Sequence, residues 1–387
     1  MTTGTMCVAF GFLNRISSAD AFINMSFVIR IIEAFGNSAF LSASFTMVAK
    51  MFPSAVSTMF GVVEMAFGVG MIIGPTVGGA LYQIGGYTLP FGTLGGILII
   101  QALISSLTLP RMKDSDNSNS PAENCGLLRA LKIPSVILAV LSVFSGSIAV
   151  GALQATLERH LATFDLNPMQ VGMMFMLYGA SYAVLNPLWG WLSDRASSTV
   201  VIFVGSILLG LGCLLVGPVP GFGLSPSYHL TVAAIIIAGF GLGAQLVAAF
   251  SEAQKAALAK GYPDNLTTYA LVSSIWTSTF ALGAFVGPTV AGKKIMNQSD
   301  FLKKFLCILG SLYDAVGFRW STLFTVGWNV LVGVAALTLI VVKKRNRNDR
   351  IDYEEIVGVD DMEDSGDIKP IGETQINLHF SRTYQSI

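Results

Sequence analysis

GPTVGGALY, residues 74–82, decides the fold, because a second copy of it lies far downstream. That copy opens as GPTVAG at Gly287 and resumes at Ser311, Leu312 and Tyr313, so the two align once residues 293–310 are read as an insertion. Each copy lies inside or just after a long apolar stretch. Wide-spaced self-similarity in an apolar chain marks an internally duplicated, polytopic membrane protein.

The composition agrees. The 387-residue chain is 53% hydrophobic and only 12% charged, with a mean hydropathy of +0.65. A soluble core of this size could not hide so much apolar surface, whereas a bilayer can act as its solvent. The net charge is zero, so no basic field points to nucleic acid. Cys7, Cys125, Cys213 and Cys307 are scattered, with no zinc or redox spacing. His160, His229 and His379 form no cluster, so neither a metal nor another cofactor is expected. Forty glycines suit closely packed membrane helices. No basic n-region precedes the first apolar residues, so no cleavable leader is expected.

Apolar runs predict membrane segments at 1–14 (short), 21–48, 55–82, 87–109, 134–157, 168–192, 199–219, 229–251, 266–291 and 318–342. All read as helices, because a spanning segment must satisfy its own backbone hydrogen bonds. The expected fold class is an all-α polytopic membrane protein. Its expected parts are an incomplete N-terminal bundle (1–109), a flexible polar linker (110–133), a six-helix C-terminal bundle (134–342) and a disordered acidic tail (343–387). Arg111, Lys113, Arg129 and Lys132 in the linker and Lys343, Lys344, Arg345 and Arg347 after the last segment fall on one side of the membrane. Lys50, Arg195, Lys255 and Lys260 join them if the segments alternate. That bias makes this side cytosolic. The four lysines of 293–310 break it, and this segment reads as an exon-edge insertion rather than a native loop.

The motifs now resemble the major facilitator superfamily. Gly70-x-x-x-Gly74-Pro75-x-x-Gly78-Gly79 is similar to the antiporter motif of that family's fifth helix. Gly283-x-x-x-Gly287-Pro288-x-x-x-Gly292 is its weaker echo in the eleventh. Arg30-Ile-Ile-Glu33-Ala34-Phe-Gly36 resembles the fourth-helix motif, with Glu and Ala at positions where the family has Gln and Gly. Gly190-Trp-Leu-Ser193-Asp194-Arg195 resembles the loop motif between the eighth and ninth helices. Longer stretches, FVIRIIEAFGNSAFLSASFTMVAKMFP and ATLERHL among them, resemble the vesicular amine transporters and their polyamine-carrying branch. The resemblance implies a major facilitator fold with about 10 of 12 transmembrane helices present, the first two being absent. It also implies a small cationic amine and protons as the transported species.

Few ionisable groups lie at membrane depth, where they are costly and usually face a cavity or a partner. Arg30 and Glu33 share a helix face. An arginine cannot shed its proton, so Arg30 needs a carboxylate, either Glu33 or Glu64, and the resemblance implies a role in proton coupling. A carboxylate taken out of water holds a proton more readily and can exchange it for an organic ammonium. Glu64 is the candidate for that exchange, against a plain structural pairing. Glu158 is a candidate for a second ammonium, or else a solvated helix end beside Arg159 and His160. Gly70, Gly74, Gly78 and Gly79 would allow close helix approach, with a kink at Pro75. Gly287 and Pro288 would repeat this. Asp194 and Arg195 would form a pair that latches one conformer. Tyr178, Trp189, Trp276 and Tyr269 offer aromatic faces to an ammonium, or else serve packing.

No nucleophile–base set or cofactor loop suggests an enzyme. The expected function is proton-coupled antiport of a polyamine or monoamine across a secretory or endosomal vesicle membrane, with the plasma membrane as the alternative location. Two rivals stand beside it, a drug or sugar carrier of the same superfamily and a shortened form that binds a full-length carrier without transporting. Asn297-Gln-Ser299 matches a glycosylation acceptor. Tyr353-Glu-Glu-Ile356 and Tyr384-Gln-Ser-Ile387 resemble sorting signals.

Overall fold

In the computed structural model, the described residues are 1–108, 126–166, 168–217, 227–291 and 318–357. The inserted segment 293–310, the resumption at Ser311, most of the linker, Asn297 and Tyr384 lie outside them. The helices are α1 (Thr2–Gly11), α2 (Ala19–Met51), α3 (Val56–Gly85), α4 (Thr88–Thr108), α5 (Leu127–Ala130), α6 (Pro134–Leu161), α7 (Pro168–Arg195), α8 (Ser198–Val216), α9 (Tyr228–Ala259), α10 (Leu266–Ala291) and α11 (Phe318–Val357). Among the described residues nine helices are long and apolar enough to cross a membrane. The expected tenth, at the N-terminus, is the 10-residue α1, about 15 Å long at the helical rise and too short to cross.

Helix starts follow local chemistry. The Ser18 hydroxyl accepts from the Ala21 N–H at the head of α2, and Ser227 does the same for Leu230 at the head of α9. Asn265 Oδ1 accepts from the Thr268 N–H to open α10. Each oxygen satisfies one of the first-turn donors that a helix leaves open. The end of the linker is ordered rather than flexible: α5 forms, and the Tyr262 hydroxyl donates to the Gly126 carbonyl at 3.0 Å.

Met1–Leu339 forms one compact unit. Residues 340–387 form a second, whose described part is helical to Val357 and carries Lys343, Lys344 and Arg345. In the first unit the helices after the linker enclose a core. The spanning windows of α6 and α9 are each 72% buried, against 11% for α2 and 6% for α4. That core is not wholly apolar. Gln245 Nε2 on α9 donates to Asn329 Oδ1 on α11 at 2.8 Å, both side chains being buried. Before the linker, α1 packs on α2 and α4.

The two copies of the repeat meet different surroundings. In α10, a β-carbon added to Gly287 would lie 2.8 Å from the Ala152 nitrogen of α6. One added to Gly151 of α6 would lie 2.6 Å from Pro288 Cδ. The second copy is thus a close helix crossing. In α3, a β-carbon added to Gly70, Gly74, Gly78 or Gly79 meets nothing within 4 Å. The expected close approach through these four glycines is therefore not made in this structure, because no described helix lies over that face. α3 continues through Pro75 to Gly85.

Candidate functional site

The close approach of α3 is made one face away, against α7. The two helices run antiparallel, and small residues let their backbones meet. A β-carbon on Gly190 would lie 2.8 Å from the Thr58 Cα, and one on Gly68 would lie 2.8 Å from the Ala183 Cβ. One on Gly61 would collide with the Asn186 carbonyl. This seam joins a helix before the linker to a helix after it.

Glu64 lies within the seam and is 4% exposed. Its carboxylate accepts a hydrogen bond from the Tyr182 hydroxyl of α7. Tyr182 is buried, and one turn further on lies Asn186, also buried. The site thus consists of one carboxylate with one hydroxyl donor and no cationic partner among the described residues. A group of this kind can take up or release a proton without breaking an ion pair.

At the end of the seam near the α3 N-terminus, Asp194 does something other than the expected pairing with Arg195. Its carboxylate accepts from the Ser57 N–H at 3.1 Å, the Thr58 N–H at 2.9 Å and the Thr58 hydroxyl at 2.6 Å. Asp194 therefore caps α3 from across the seam. The N-terminus of α3 carries open donors and a positive dipole end, and no side chain of its own N-cap residue, Ala55, bonds to it. Arg195 lies over the Trp191 ring at 4.5 Å instead. The partner of the Asp194 carboxylate across the seam is thus a helix end. The same side carries Lys255, whose Nζ donates to the Ser193 carbonyl at 2.6 Å.

Next to this contact an aromatic cluster closes the space between the two groups of helices. Phe60 of α3 stacks on Phe250 of α9 at 4.2 Å and 6°. Phe45 of α2 meets Phe60 at 4.7 Å and Trp276 of α10 at 5.2 Å. Hydroxyls cross the same boundary, Thr46 Oγ1 donating to Ser273 Oγ at 3.3 Å. All four aromatic residues lie within a few turns of the helix ends on the Asp194 side, and the space between the two groups of helices is filled there. Trp276 is thus a packing residue, its Nε1 donating to the Leu246 carbonyl at 3.2 Å. Tyr269 donates its hydroxyl to Asp264.

The other expected residues are placed apart. Arg30 pairs with Glu33 at 2.9 Å and sits 4.0 Å over the Phe10 ring. Among the described residues Arg30 makes no ion pair with Glu64, whose carboxylate accepts from Tyr182. Arg30 is half exposed, with 51% of its side chain open. Glu158 is exposed at the end of α6, and no hydrogen bond or ion pair joins it to Glu64 or Glu33 among the described residues.

Sequence reasoning missed Tyr182, Asn186, Phe45, Phe60 and Phe250. Tyr178, Tyr182 and Asn186 fall at intervals of four, one polar stripe on an apolar helix, and that periodicity could have found them. The phenylalanines carry no such signal.

Comparison with known proteins bears on this arrangement. The family model described as Major Facilitator Superfamily matches residues 1–288 and again 135–371. The chain is 31% identical over 336 residues to the MFS-type transporter SLC18B1 of Homo sapiens, covering 86% of this chain and 68% of that protein. It is 22% identical over 284 residues to the synaptic vesicular amine transporter of Homo sapiens, covering 71% of this chain and 51% of that protein. With the chromaffin granule amine transporter of Homo sapiens it shares 24% identity over 216 residues, 51% of this chain and 40% of that protein. A multi-pass chain whose described residues are helical, matched by this family model over most of its length, therefore belongs to the Major Facilitator Superfamily, as a transporter related to these carriers.

Proposed function

We propose that the protein exchanges protons for an organic cation, a polyamine or a monoamine, across an acid-interior vesicle membrane. The observation that carries this reading is Glu64: a buried carboxylate on the boundary between the two groups of helices, held by the Tyr182 hydroxyl alone. The names of the related amine transporters support the cargo class.

The exchange follows from competition and geometry. On this reading the structure is a cytosol-closed state, in which Asp194 and the aromatic cluster keep the cargo route to the cytosol shut. The Glu64 proton leaves toward the cytosol. Opening of that side then parts α3 from α7, breaks the Tyr182–Glu64 bond and lets a cationic cargo reach the vacant negative charge. Reclosure and opening toward the lumen bring the cargo to an acidic compartment, where a proton replaces it. Protons thus run from lumen to cytosol and amine runs the other way. Glu33 with Arg30 sets a second charged point on α2, and Glu158 a third at the end of α6. Both remain candidate contacts for a cargo with more than one ammonium. The glycines of α3 from Gly70 to Gly79, and Gly287 with Pro288 in α10, are proposed as surfaces over which helices slide during rocking.

The test is uptake of labelled amines into acid-interior proteoliposomes. Glu64→Gln keeps the shape of the side chain and removes its exchangeable proton. Loss of proton-driven uptake with membrane insertion intact is the expected outcome. Normal uptake by this variant removes Glu64 from the coupling site. A panel of neutral sugars run alongside separates an amine carrier from a sugar facilitator.

A further inference from the structure

The α3–α7 seam carries more polar atoms than its hydrogen bonds account for. Between Glu64 and the end of the seam at Asp194, the Ser57 Oγ, the Asn186 Oδ1, the Trp189 Nε1 and the Ser193 Oγ are all buried with no hydrogen-bond partner among the described residues. The residues Ser57, Asn186 and Ser193 are 0% exposed. Each such atom costs about 1–3 kcal/mol when left unsatisfied, and native interiors hold very few of them. Four in one short stretch of one interface is therefore a pattern that calls for a partner.

Their order follows the seam. Tyr182, Asn186, Trp189 and Ser193 fall on one face of α7, at steps of four, three and four residues. Ser57 faces them from α3, where the Gly190 contact brings the two backbones together. α9 closes the third side, since a β-carbon on Gly243 would lie 3.4 Å from Trp189 Cδ1. Glu64 stands at the inner end and Asp194, with Thr58, at the outer end. From Glu64 to Ser57 is seven residues of helix, about 10 Å, the span of a few water molecules in file. Water buried in proteins is found at such clusters, where it makes two to four hydrogen bonds to otherwise unsatisfied groups.

We propose that this seam holds a file of water linking Glu64 to the cytosolic face, a path for protons separate from the path of the cargo. The Phe45–Phe60–Phe250–Trp276 cluster keeps the cargo route closed while the file stays polar. The step balances simply. The Glu64 O–H bond breaks and its proton joins the first water, each water passes one proton to the next, and one proton is delivered outside, leaving the Glu64 carboxylate. The groups facing the file are Tyr182 from α7, Asp194 at its outer end, and Lys255 from α9, which is already bonded to the Ser193 carbonyl. The proposal rests on Glu64 being the proton carrier, but its test does not.

The chain, labelled with nitrogen-15 at tryptophan, is placed in lipid bilayers and studied by water-edited solid-state NMR. It has five tryptophans, and Trp189→Phe assigns the signal of interest. Trp276 is an internal dry standard, since its Nε1 bonds to a carbonyl. Magnetisation from water is expected to reach the Trp189 indole at least about threefold faster than Trp276, as for a group touching buried water. Equal, slow transfer at both overturns the file, whatever the uptake of Glu64→Gln shows. In the second arm, the hydrogen–deuterium exchange rate of the Glu64 carboxyl is followed by infrared difference against Glu64→Gln in acid. Asn186→Leu is expected to slow it about tenfold, the effect of losing one ordinary hydrogen-bonded step. If that variant does not fold, Ser57→Ala serves in its place. Exchange unchanged by either substitution overturns the path.

Discussion

Asp194 is the residue whose removal the structure makes most quantitative. Its carboxylate takes three hydrogen bonds from the first turn of α3, two from backbone N–H groups and one from the Thr58 hydroxyl. Asp194→Ala removes all three, together with a charge at the positive end of a 30-residue helix. Bonds to a charged group are worth about 1.5–3 kcal/mol each when nothing replaces them. Here the site is only part-buried, so water re-bonds the freed donors and the net loss falls toward that of a helix cap, about 0.5–2 kcal/mol. Adding the lost charge–dipole attraction of about 0.3–1 kcal/mol gives a sum near 2 kcal/mol, which shifts the closed-to-open ratio about 30-fold. The shift falls on that ratio because the bonds cross between two groups of helices and exist only while the seam is shut. The assay is thiol labelling from the cytosolic side of a cysteine placed at Phe60, which is 0% exposed in the closed seam, in a background without the native cysteines. Asp194→Ala should raise the labelling rate by about that factor, while Arg195→Ala, which removes only the Trp191 stack, should leave it near the parent rate. Equal labelling of parent and Asp194→Ala would refute the latch. A rise with Arg195→Ala alone would restore the Asp–Arg pair expected from the sequence.

Other outcomes follow from the packing. Gly61→Leu drives a side chain into the Asn186 carbonyl and should prevent assembly of the seam, whereas Gly74→Ala, with nothing within 4 Å, should change the melting temperature little; thermal-shift measurements in detergent compare the two. Phe250→Ala empties the centre of the aromatic cluster and should cost about 3–5 kcal/mol, read as a lower melting temperature together with cytosolic labelling of the Phe60 position. Gln245→Leu alone leaves Asn329 without its donor and should destabilise by about 1–3 kcal/mol. Adding Asn329→Leu should recover part of that loss, and a double-mutant cycle on unfolding measures the recovery.

How much of this was legible beforehand depends on the residue. The membrane helices were legible, because a spanning helix needs only a run of apolar residues of sufficient length, a local property. The repeat was legible too, since identical short strings need no folding to be recognised. Glu33 was legible as one of two partners for Arg30, because three residues on a helix fix their separation, and the structure selects it over Glu64. The short α1 was doubtful from its length alone. Partners across helices were not legible. Asp194 stands next to Arg195 in the chain, yet its bonds go to residues 136 and 137 positions away. Nor could the repeat reveal that α10 uses its glycines against α6 while α3 offers the same spacing to no described helix.

The primary structure therefore determined the solvent, the helical class, the family motifs and the identity of Glu64 as a rare acid at depth, all of which are carried by composition and short spacing. Tertiary structure alone decided that α3 packs on α7 through Gly61, Gly68 and Gly190, that Tyr182 holds Glu64, and that Asp194 caps a helix in the other group. Those choices are made by shape and by unsatisfied polar groups meeting across an interface. Such meetings depend on the register of two helices far apart in the chain, which no local pattern encodes.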